Sequence, residues 1–382
     1  MWTHLPKTLQ LVSVRWWNAN AYYAISLTEA LNAAGVLSYA AGRENSPPIQ
    51  KARQLHLPVF SDIDLEALNP LRAITNLSRL RKFIRREAID LINAHRPEDV
   101  PFAALMKYLA ASSLPVIRTV GDVRPPRKHL LNYWLHRRHL DHLIFCCRAM
   151  YEKFQAVWPI FEGRSTVIYS AIDTEAFRPP SVRPPLRREL GFGEDEVVVG
   201  IIARLSPVKD HHTFLRAAAQ VARKAPQTRF LISGEAAQLS HEDLRRVAGE
   251  LGIEERVVFL PRDERIDIRD LIGTLDVGVV ASRGSEVICR VAVEYMALAR
   301  PVVVTDVHVL PEIVQEGENG FVVPARDAEA MAERILRLVE QPELRRRMGD
   351  TARRMAEERF SYPVLVEKTL EVYEKALAMG RK

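Results

Sequence analysis

Cysteine is scarce in this chain, and several other features that would assign a class of protein are missing. The 382 residues include three cysteines, two of them adjacent, which excludes a disulfide framework and favours a reducing compartment. No apolar run reaches the roughly 18 residues of a membrane span. The first seven residues lack the charged-then-apolar order of a secretory signal, and no nucleic-acid-binding module is recognisable. We therefore expect a cytoplasmic protein without a nucleic-acid partner.

Positive charge is concentrated in the first half of the chain. Residues 1–170 contain 22 Lys and Arg against 13 Asp and Glu, a balance of +9, whereas residues 171–382 contain 32 against 35, a balance of −3. The first half could therefore face an anionic membrane or a phosphorylated acceptor. Two basic stretches, residues 77–86 and 124–138, mix cations with apolar or aromatic residues, as helices on anionic bilayers do. An ordinary helix with a cationic outer face explains each stretch equally well.

Apolar runs alternate with helical patterns, which predicts parallel sheets covered on both faces. The fold class that we predict is α/β, with two doubly wound Rossmann-like domains facing each other across a cleft. In the second half, strands are expected at 197–202, 229–233, 257–260, 277–281 and 301–305, and helices at 211–224, 240–251, 266–274, 288–299, 327–340, 342–358 and 362–379. In the first half, strands are expected at 11–14, 89–94, 115–120, 142–145 and 166–169.

A proline-rich connector marks the domain boundary. Residues 179–185 include four prolines, which make a stiff, non-helical segment. We place the first domain at residues 1–170, the linker at 171–187 and the second domain at 188–360. A C-terminal helix at 361–382 is expected to pack back toward the first domain.

Two cations and two carboxylates in the second half form the candidate site. Arg204 and Lys209 follow a predicted strand and precede a helix, whose N-terminus adds partial positive charge. A guanidinium fork and a mobile ammonium both suit pyrophosphate. Glu286 lies just before or at the start of a predicted helix, and Glu294 lies inside that helix, eight positions later. Carboxylates at these positions can hold sugar and ribose hydroxyls. Together the four residues indicate a site for a sugar joined to a nucleoside diphosphate.

Each of these residues also has an ordinary structural explanation. The two cations could be solvated loop residues, one of them paired with Asp210. Glu286 could complement the helix dipole from the first turn. Glu294 could form a surface pair with Arg290 at i, i+4, which contributes only a few tenths of a kcal/mol. The combination of the four residues is what favours the functional interpretation.

Polar residues after strands of the first half are further candidates for ligand contact. Asn18 and Asn20 follow the first predicted strand and can also cap the next helix. His95 follows the second strand, Arg118 lies near the end of the third, and Asp122 comes after it. Each of them is also an ordinary polar residue in a loop or at a strand end.

At these positions the chain resembles family 4 of the retaining glycosyltransferases, which have the two-domain GT-B fold. Residues 200–209 resemble the family's Gly-Arg-Leu…Lys block, and Glu286 with Glu294 matches its Glu-x7-Glu motif. Residues 233–235 resemble the family's Gly-Asp/Glu turn, residues 311–320 its stretch after the glutamates, and residues 172–177 its interdomain segment. The likeness is strongest over about residues 165–365.

The resemblance implies an enzyme that moves a hexose or similar sugar from a nucleotide-diphosphate donor to an acceptor hydroxyl, with retention. It implies catalytic roles for Arg204, Lys209 and Glu286 and no cofactor. No Asp-x-Asp motif lies beside the site, so we expect the cations to replace a metal. The acceptor is expected to be a saccharide or lipid-linked, in envelope polysaccharide or lipopolysaccharide assembly, on the inner face of the cell membrane. The predicted donor-binding residues are Arg204, Lys209, Gly234, Glu235, Arg262, Ser285, Glu286, Val287, Ile288 and Glu294, and the acceptor-side residues are Asn18, Asn20, His95, Arg118 and Asp122.

Two other functions stay open. One is a nucleotide-sugar epimerase with the same fold, which would convert its donor without any acceptor. The other is a catalytically silent nucleotide-sugar-binding module. This second alternative is favoured by residues 287–289, which replace the family's Gly-rich loop, and by residues 119–122, which replace its Val-His-Gly segment.

Overall fold

A computed structural model describes residues 5–65, 70–110, 114–124, 128–159 and 163–380 of the chain. The chain divides into two compact units. Unit 1 comprises Met1–Ala171 with Tyr362–Lys382, and unit 2 comprises Ile172–Ser361. Each unit is built on one parallel sheet flanked by helices, as the alternation of apolar runs and helical patterns predicts.

Unit 1 contains a seven-stranded parallel sheet in the order β3-β2-β1-β4-β5-β6-β7. The strand order reverses between β1 and β4, which pair directly. The strands are β1 Thr8–Leu11, β2 Ser38–Ala41, β3 Val59–Phe60, β4 Leu91–Ala94, β5 Val116–Val120, β6 His142–Phe145 and β7 Ser165–Val167. The helices before the linker are α1 Ala19–Ala33, α2 Pro47–Gln54, α3 Pro70–Glu87, α4 Val100–Leu109, α5 Leu130–His139 and α6 Arg148–Val157.

The first strand lies three residues earlier than predicted, so the expected strand at 11–14 is wrong. The cause is the polar character of Thr8 and Gln10, which interrupts the apolar run although both side chains are fully buried. Thr8 Oγ1 donates a hydrogen bond to Ser38 Oγ on β2 at 2.8 Å. A buried polar residue is tolerated in a strand when it is hydrogen-bonded in this way.

Unit 2 contains a six-stranded parallel sheet in the order β10-β9-β8-β11-β12-β13. Its strands are β8 Val197–Ile202, β9 Thr228–Gly234, β10 Val257–Pro261, β11 Val277–Val280, β12 Val302–Thr305 and β13 Gly320–Val323. Its helices are α7 Leu186–Glu189, α8 His211–Lys224, α9 His241–Glu250, α10 Ile268–Gly273, α11 Arg290–Ala297, α12 Leu310–Ile313, α13 Ala328–Glu340 and α14 Pro342–Arg359. The strand at 197–202 and the helix at 211–224 have the predicted bounds, whereas β13 was not predicted.

The last helix, α15 Tyr362–Gly380, belongs to unit 1 although it follows unit 2 in the sequence. It packs against α1, and the Tyr362 hydroxyl donates to Glu29 Oε2 at 2.9 Å. Tyr373 is completely buried. Unit 1 is therefore assembled from two separate stretches of the chain.

None of the helices within the described ranges is both long enough and apolar enough to span a bilayer.

Candidate nucleotide-sugar site

The reversal of strand order in unit 2 lies between β8 and β11. These two strands pair directly, but the chain continues from β8 toward one edge of the sheet and from β11 toward the other. Loops that leave neighbouring strands in opposite directions open a crevice at the carboxyl ends, where open α/β sheets bind ligands. The predicted site residues Lys209 and Glu286 lie in these two loops.

Lys209 and Glu286 form an ion pair that joins the two loops. Lys209 Nζ donates to Glu286 Oε1, and the Ser282 hydroxyl donates to the same oxygen at 2.5 Å. The Glu286 side chain is 2% exposed and that of Lys209 is 24% exposed. Burial is the largest single influence and lowers the pKa of Lys209, but Glu286, through its charge and its hydrogen bond, and Cys289 together make the net pKa shift upward. The ammonium therefore remains charged in a place largely shielded from water.

The backbone around Lys209 leaves this side chain available for Glu286. Lys209 ends a short 3₁₀ turn, Pro207–Lys209, directly before α8. Asp210, with a left-handed φ of 50°, caps α8 through its carboxylate, which accepts from the Thr213 hydroxyl at 2.9 Å and from the Thr213 amide. Lys209 thus pairs with Glu286 and not with Asp210, whose carboxylate caps α8.

Arg204, Glu235 and Arg262 are exposed residues that follow the three successive strands β8, β9 and β10. Backbone hydrogen bonds tie these loops together: the Leu205 amide donates to the Glu235 carbonyl at 2.8 Å, and the Arg262 amide donates to the Gly234 carbonyl at 3.2 Å. The three residues thus lie at the carboxyl ends of the strands, the same end of the sheet that carries Lys209.

Gly234 is required by the close approach of the loop after β8 to the end of β9. A Cβ added at Gly234 would lie 2.0 Å from the carbonyl oxygen of Ala203. A side chain at this position would push residues 203–204 away from the sheet edge. The role of Gly234 that the structure shows is therefore to bring the backbone next to Arg204 close to β9.

Glu294 lies inside α11 and pairs with Arg290 one turn earlier, with Arg290 Nε 2.9 Å from Glu294 Oε1. The expected pair with Arg290 is therefore present, but Glu294 is not a surface residue, because its side chain is only 4% exposed. Within the described part of the chain, Glu294 Oε2 is buried and has no hydrogen-bond partner. Burial raises the pKa of Glu294, and Arg290 opposes that shift. Such a carboxylate oxygen is suited to accept a hydroxyl hydrogen bond.

The segment between the two glutamates is anchored by apolar side chains. Val287 and Ile288 are buried, whereas Ser285 is exposed and has a left-handed φ of 58°. Any ligand contact from Val287 and Ile288 would therefore come from their backbone. Glu286 precedes the first residue of α11 by four positions, so it does not serve that helix from the first turn as the structural alternative proposed.

Sequence reasoning missed two residues that support this site. Ser282 lies two residues after the end of β11 and donates to the Glu286 carboxylate, and its position after a strand was a usable signal. The Tyr295 hydroxyl accepts from the Ile202 amide at 2.9 Å and so fixes the carboxyl end of β8. Nothing in the sequence distinguishes Tyr295 from an ordinary apolar position on the buried face of α11.

In unit 1, the predicted acceptor-side residues lie at the start of α1 (Asn18 and Asn20), directly after β4 (His95), and within or just after β5 (Arg118 and Asp122). Asn18 caps α1 by accepting from the Ala21 amide at 2.9 Å, while Asn20 lies nearly buried in the first turn. His95 is buried directly after β4. Arg118 donates to His136 Nε2 at 2.6 Å, and burial lowers its pKa to about 10 although Asp122 opposes that shift.

Asp99 is a buried acid in the same region that sequence reasoning did not select. Its Oδ2 accepts a long bond from the Ser13 amide at 3.5 Å. Its Oδ1 is buried without a hydrogen-bond partner in the described ranges, as is Oδ2 of Asp122. Burial raises the pKa of Asp99 to about 7. Its position five residues after β4, beside His95 in the sequence, was the available signal.

Among the residues that the structure describes, no group of three or more His, Cys, Asp and Glu side chains has the proximity of a metal site.

Two family models match the chain, one in each half. The model described as glycosyltransferase family 4 matches residues 21–176, and the model described as glycosyl transferases group 1 matches residues 182–355. A putative glycosyltransferase of Bacillus subtilis, EpsD, is 34% identical over 58% of this chain and 57% of its own length. A D-inositol 3-phosphate glycosyltransferase of Saccharomonospora viridis is 30% identical over 68% of this chain and 62% of its own length. The matches thus span less than two thirds of these relatives.

Solved structures resemble the whole chain in fold. Anabaena Alr3699/HepE in complex with UDP and glucose has a TM-score of 0.81 and 23% identity, with 97% of this chain and 99% of that chain covered. A glycosyltransferase from Rickettsia africae has a TM-score of 0.86 and 17% identity, with 98% and 99% covered. Together with the two parallel-sheet units, these likenesses identify the fold as GT-B.

Proposed function

We propose that the chain is one of the glycosyltransferases that the two family models describe, and that it transfers a sugar from a nucleoside diphosphate donor to an acceptor hydroxyl, with retention. The observation that carries this proposal is the Lys209–Glu286 pair, which places a charged ammonium and a carboxylate at the strand-order reversal of unit 2. HepE was solved with UDP and with UDP-glucose. UDP-glucose is therefore the first donor to test.

In the proposed reaction, the bond between the anomeric carbon and the diphosphate breaks while a bond to the acceptor oxygen forms on the same face. The acceptor proton passes to the departing diphosphate. Lys209 and Arg204, with the N-terminus of α8, stabilise the charge that develops on the diphosphate. Glu286 holds hydroxyls of the donor sugar, and the free oxygen of Glu294 accepts from the ribose. Arg204 and Lys209 supply positive charge here, so we propose that transfer needs no metal and survives a chelator.

We assign the acceptor to unit 1 and propose a saccharide or lipid-linked molecule of the cell envelope. The support is the +9 charge of residues 1–170 and the exposure of cations on α3 and of apolar side chains on α5. Leu130, Leu131 and Trp134 of α5 are all exposed. Such a surface suits an anionic membrane, against which lipid-linked acceptors lie. Residues 125–127 of the second basic stretch lie outside the described residues.

A donor titration tests the proposal, and the reaction products separate it from its alternatives. UDP and UDP-glucose are titrated into the protein by calorimetry, and UDP release is then followed with and without candidate acceptors. We expect binding of both ligands and acceptor-dependent release of UDP. Formation of the epimeric nucleotide-sugar without any acceptor would identify an epimerase. Tight binding with neither hydrolysis nor transfer would identify a silent binding module, and no binding of any nucleotide-sugar would refute the assignment of the site.

A further inference from the structure

A buried chain of polar side chains connects the C-terminal helix to the central strands of unit 1. The Tyr373 hydroxyl of α15 accepts from Gln10 Nε2 at 3.1 Å and from Asn93 Nδ2 at 3.3 Å. Gln10 lies in β1 and Asn93 in β4, the two strands at the strand-order reversal. All three residues are excluded from solvent. Buried polar networks fix their members in defined orientations when their hydrogen bonds are made.

The Gln10 amide lies between three hydroxyl groups and the His95 ring. Its nitrogen lies 3.3 Å from Thr8 Oγ1, 3.2 Å from Ser38 Oγ and 3.1 Å from the Tyr373 hydroxyl. The carbonyl oxygen is on the opposite side, where it lies 3.0 Å from His95 Nε2. An amide oxygen can only accept a hydrogen bond, so the ring proton of His95 resides on Nε2.

The other ring nitrogen of His95 is left as a hydrogen-bond acceptor. Nδ1 is buried and has no hydrogen-bond partner in the part of the chain that the structure describes. A reversed Gln10 amide would require the opposite tautomer, with an N–H group at Nδ1, and a buried N–H without a partner is rarer than an unfilled acceptor. The unpartnered Nδ1 therefore favours the orientation in which the Gln10 oxygen faces His95. Burial lowers the pKa of His95 to about 3, so the ring stays neutral near pH 7.

We propose that Gln10 and Tyr373 are positioning residues that hold His95 with Nδ1 ready to accept a hydrogen bond from a hydroxyl group of the sugar acceptor. The identity of this ligand rests on the proposed function, whereas the tautomer does not. His95 follows β4 at the strand-order reversal of unit 1, where doubly wound sheets bind ligands. The ring orients the hydroxyl and takes no proton, so the acceptor proton still passes to the departing diphosphate.

Nitrogen NMR of the histidine-labelled protein tests the tautomer directly. The His95 signals are assigned by their loss in His95→Gln, and long-range proton–nitrogen spectra then report which ring nitrogen carries the proton. We expect a protonated Nε2 and an unprotonated Nδ1 that do not change between pH 5 and pH 8. A proton on Nδ1, or titration of the ring within that range, would overturn the proposal.

Variants of the two positioning residues test the series of hydrogen bonds that runs from Tyr373 through Gln10 to His95. Gln10→Leu removes the accepting oxygen and Tyr373→Phe frees the Gln10 amide to rotate, so both should mix the two tautomers. Gln10→Glu keeps an accepting oxygen and should preserve the wild-type pattern. Tyr39→Phe is the matched control, because it removes the hydroxyl bond to Glu87 Oε2 at 3.0 Å elsewhere in unit 1. If Tyr373→Phe and Tyr39→Phe give the same His95 spectrum, Tyr373 is not a positioning residue.

The rate of UDP release tests the hydroxyl contact, with glucose as the acceptor probe and UDP-glucose as the donor. Losing one oriented hydrogen bond should slow release roughly tenfold in Gln10→Leu and in Tyr373→Phe, while UDP affinity stays unchanged. Equal rates in these variants and in Tyr39→Phe would refute the contact with the acceptor. If the wild type binds no UDP-glucose, the proposed function fails, and the His95 spectrum still decides whether the positioning holds.

Discussion

Each member of the Lys209–Glu286 pair depends on the other, because both charges lie where water screens them poorly. Lys209→Met should lower the free energy of unfolding by about 3 kcal/mol, since it leaves the Glu286 carboxylate buried without its counter-charge. The double variant Lys209→Met/Glu286→Gln should recover most of this loss, because both charges are then absent. Urea denaturation measures the four free energies. Lys224→Met, at an exposed position of α8, is the control, and additive effects of the two single changes would contradict the coupling.

The residues of the candidate site should contribute differently to binding of the nucleotide and to transfer of the sugar. Glu294→Gln should weaken UDP and UDP-glucose alike, roughly tenfold, because both ligands contain the ribose. Glu286→Gln should leave UDP affinity nearly unchanged and slow transfer, because only the donor contains the sugar. Lys209→Ala and Arg204→Ala should weaken both ligands. Calorimetry with UDP combined with initial rates separates these effects, and a loss of UDP affinity in Glu286→Gln equal to that in Glu294→Gln would refute the division.

Glu294 should also make the stability of the unliganded protein depend on pH. Burial raises the pKa of Glu294 above its ordinary value of 4.5, so the folded protein keeps this proton at pH values where the unfolded chain has lost it. Stability therefore falls as pH rises from about 4.5 through the folded pKa. Glu294→Gln removes this loss. The free energy of unfolding of the variant, relative to that of the wild type, should therefore increase as pH rises from 4.5. Denaturation at several pH values measures this difference in free energy of unfolding, with Glu318→Gln as the exposed control. A difference between Glu294→Gln and the wild type that does not change with pH would contradict the prediction.

Single residues show what sequence reasoning can and cannot reach at the site. Arg204, Lys209, Glu286 and Glu294 could be selected because their residue types and spacing carry chemical meaning. Their partners could not be deduced in the same way. The lysine pairs with a glutamate 77 positions away, and this contact depends on the strand order of the sheet, which the local pattern does not contain. Burial of Glu294 likewise follows from how α11 packs.

At the scale of single elements, α3 shows how the same cations can be explained in two ways. Three of the apolar residues that lie among the cations of the basic stretch 77–86, namely Leu80, Phe83 and Ile84, are buried in unit 1. Arg79 pairs with Asp62 at 2.8 Å, and Arg85 donates to the carbonyls of Leu109 and Ala110. The outer face still exposes Arg81, Lys82 and Arg86. Any attraction of this basic stretch of α3, residues 77–86, to a membrane must therefore be mainly electrostatic, whereas Leu71 and Ile74 at the start of the helix are exposed apolar residues.

Three substitutions on α3 test this attraction. Changing Arg81, Lys82 and Arg86 to Gln should weaken binding to anionic liposomes by about 3 kcal/mol, or roughly a hundredfold, at about 1 kcal/mol for each charge. Binding by the wild type should fall as salt rises and should be absent with neutral liposomes. Arg85 is left unchanged because it holds α4. The control changes Arg223, Lys224 and Arg354 of unit 2, which are exposed too. A wild type that ignores anionic liposomes at low salt would show that α3 is only a solvated surface.

Strands were predictable to the extent that their side chains are apolar. β8 has the predicted bounds because Val197–Ile202 contains only apolar residues and glycine, whereas β1 was displaced because Thr8 and Gln10 are polar. Gln10 is polar because it belongs to the chain of hydrogen bonds that reaches His95. The position where the sequence pattern fails is thus also the position from which a role in function is inferred.

At the scale of the whole molecule, the helical pattern near the C-terminus was clear, but its place in the fold follows from packing. Val372, Tyr373 and Ala376 of α15 are buried in unit 1. Sequence periodicity shows that a helix has an apolar face, and it does not show which sheet covers that face. Only the contacts of α15 with α1, and of Tyr373 with β1 and β4, settle the question.

The return of α15 to unit 1 has a consequence for biosynthesis. Domains generally fold in the order in which the ribosome releases them, the N-terminal one first. In this protein the nascent chain must emerge beyond Tyr373 before Gln10 and Asn93 can find their shared partner, and by then residues 172–361 have all been synthesised. Unit 2 can thus reach its native state before β1 and β4 of unit 1 have made their contacts with α15. During that interval the apolar residues beneath α15 remain uncovered, so we expect unit 1 to be prone to aggregation until α15 has been synthesised.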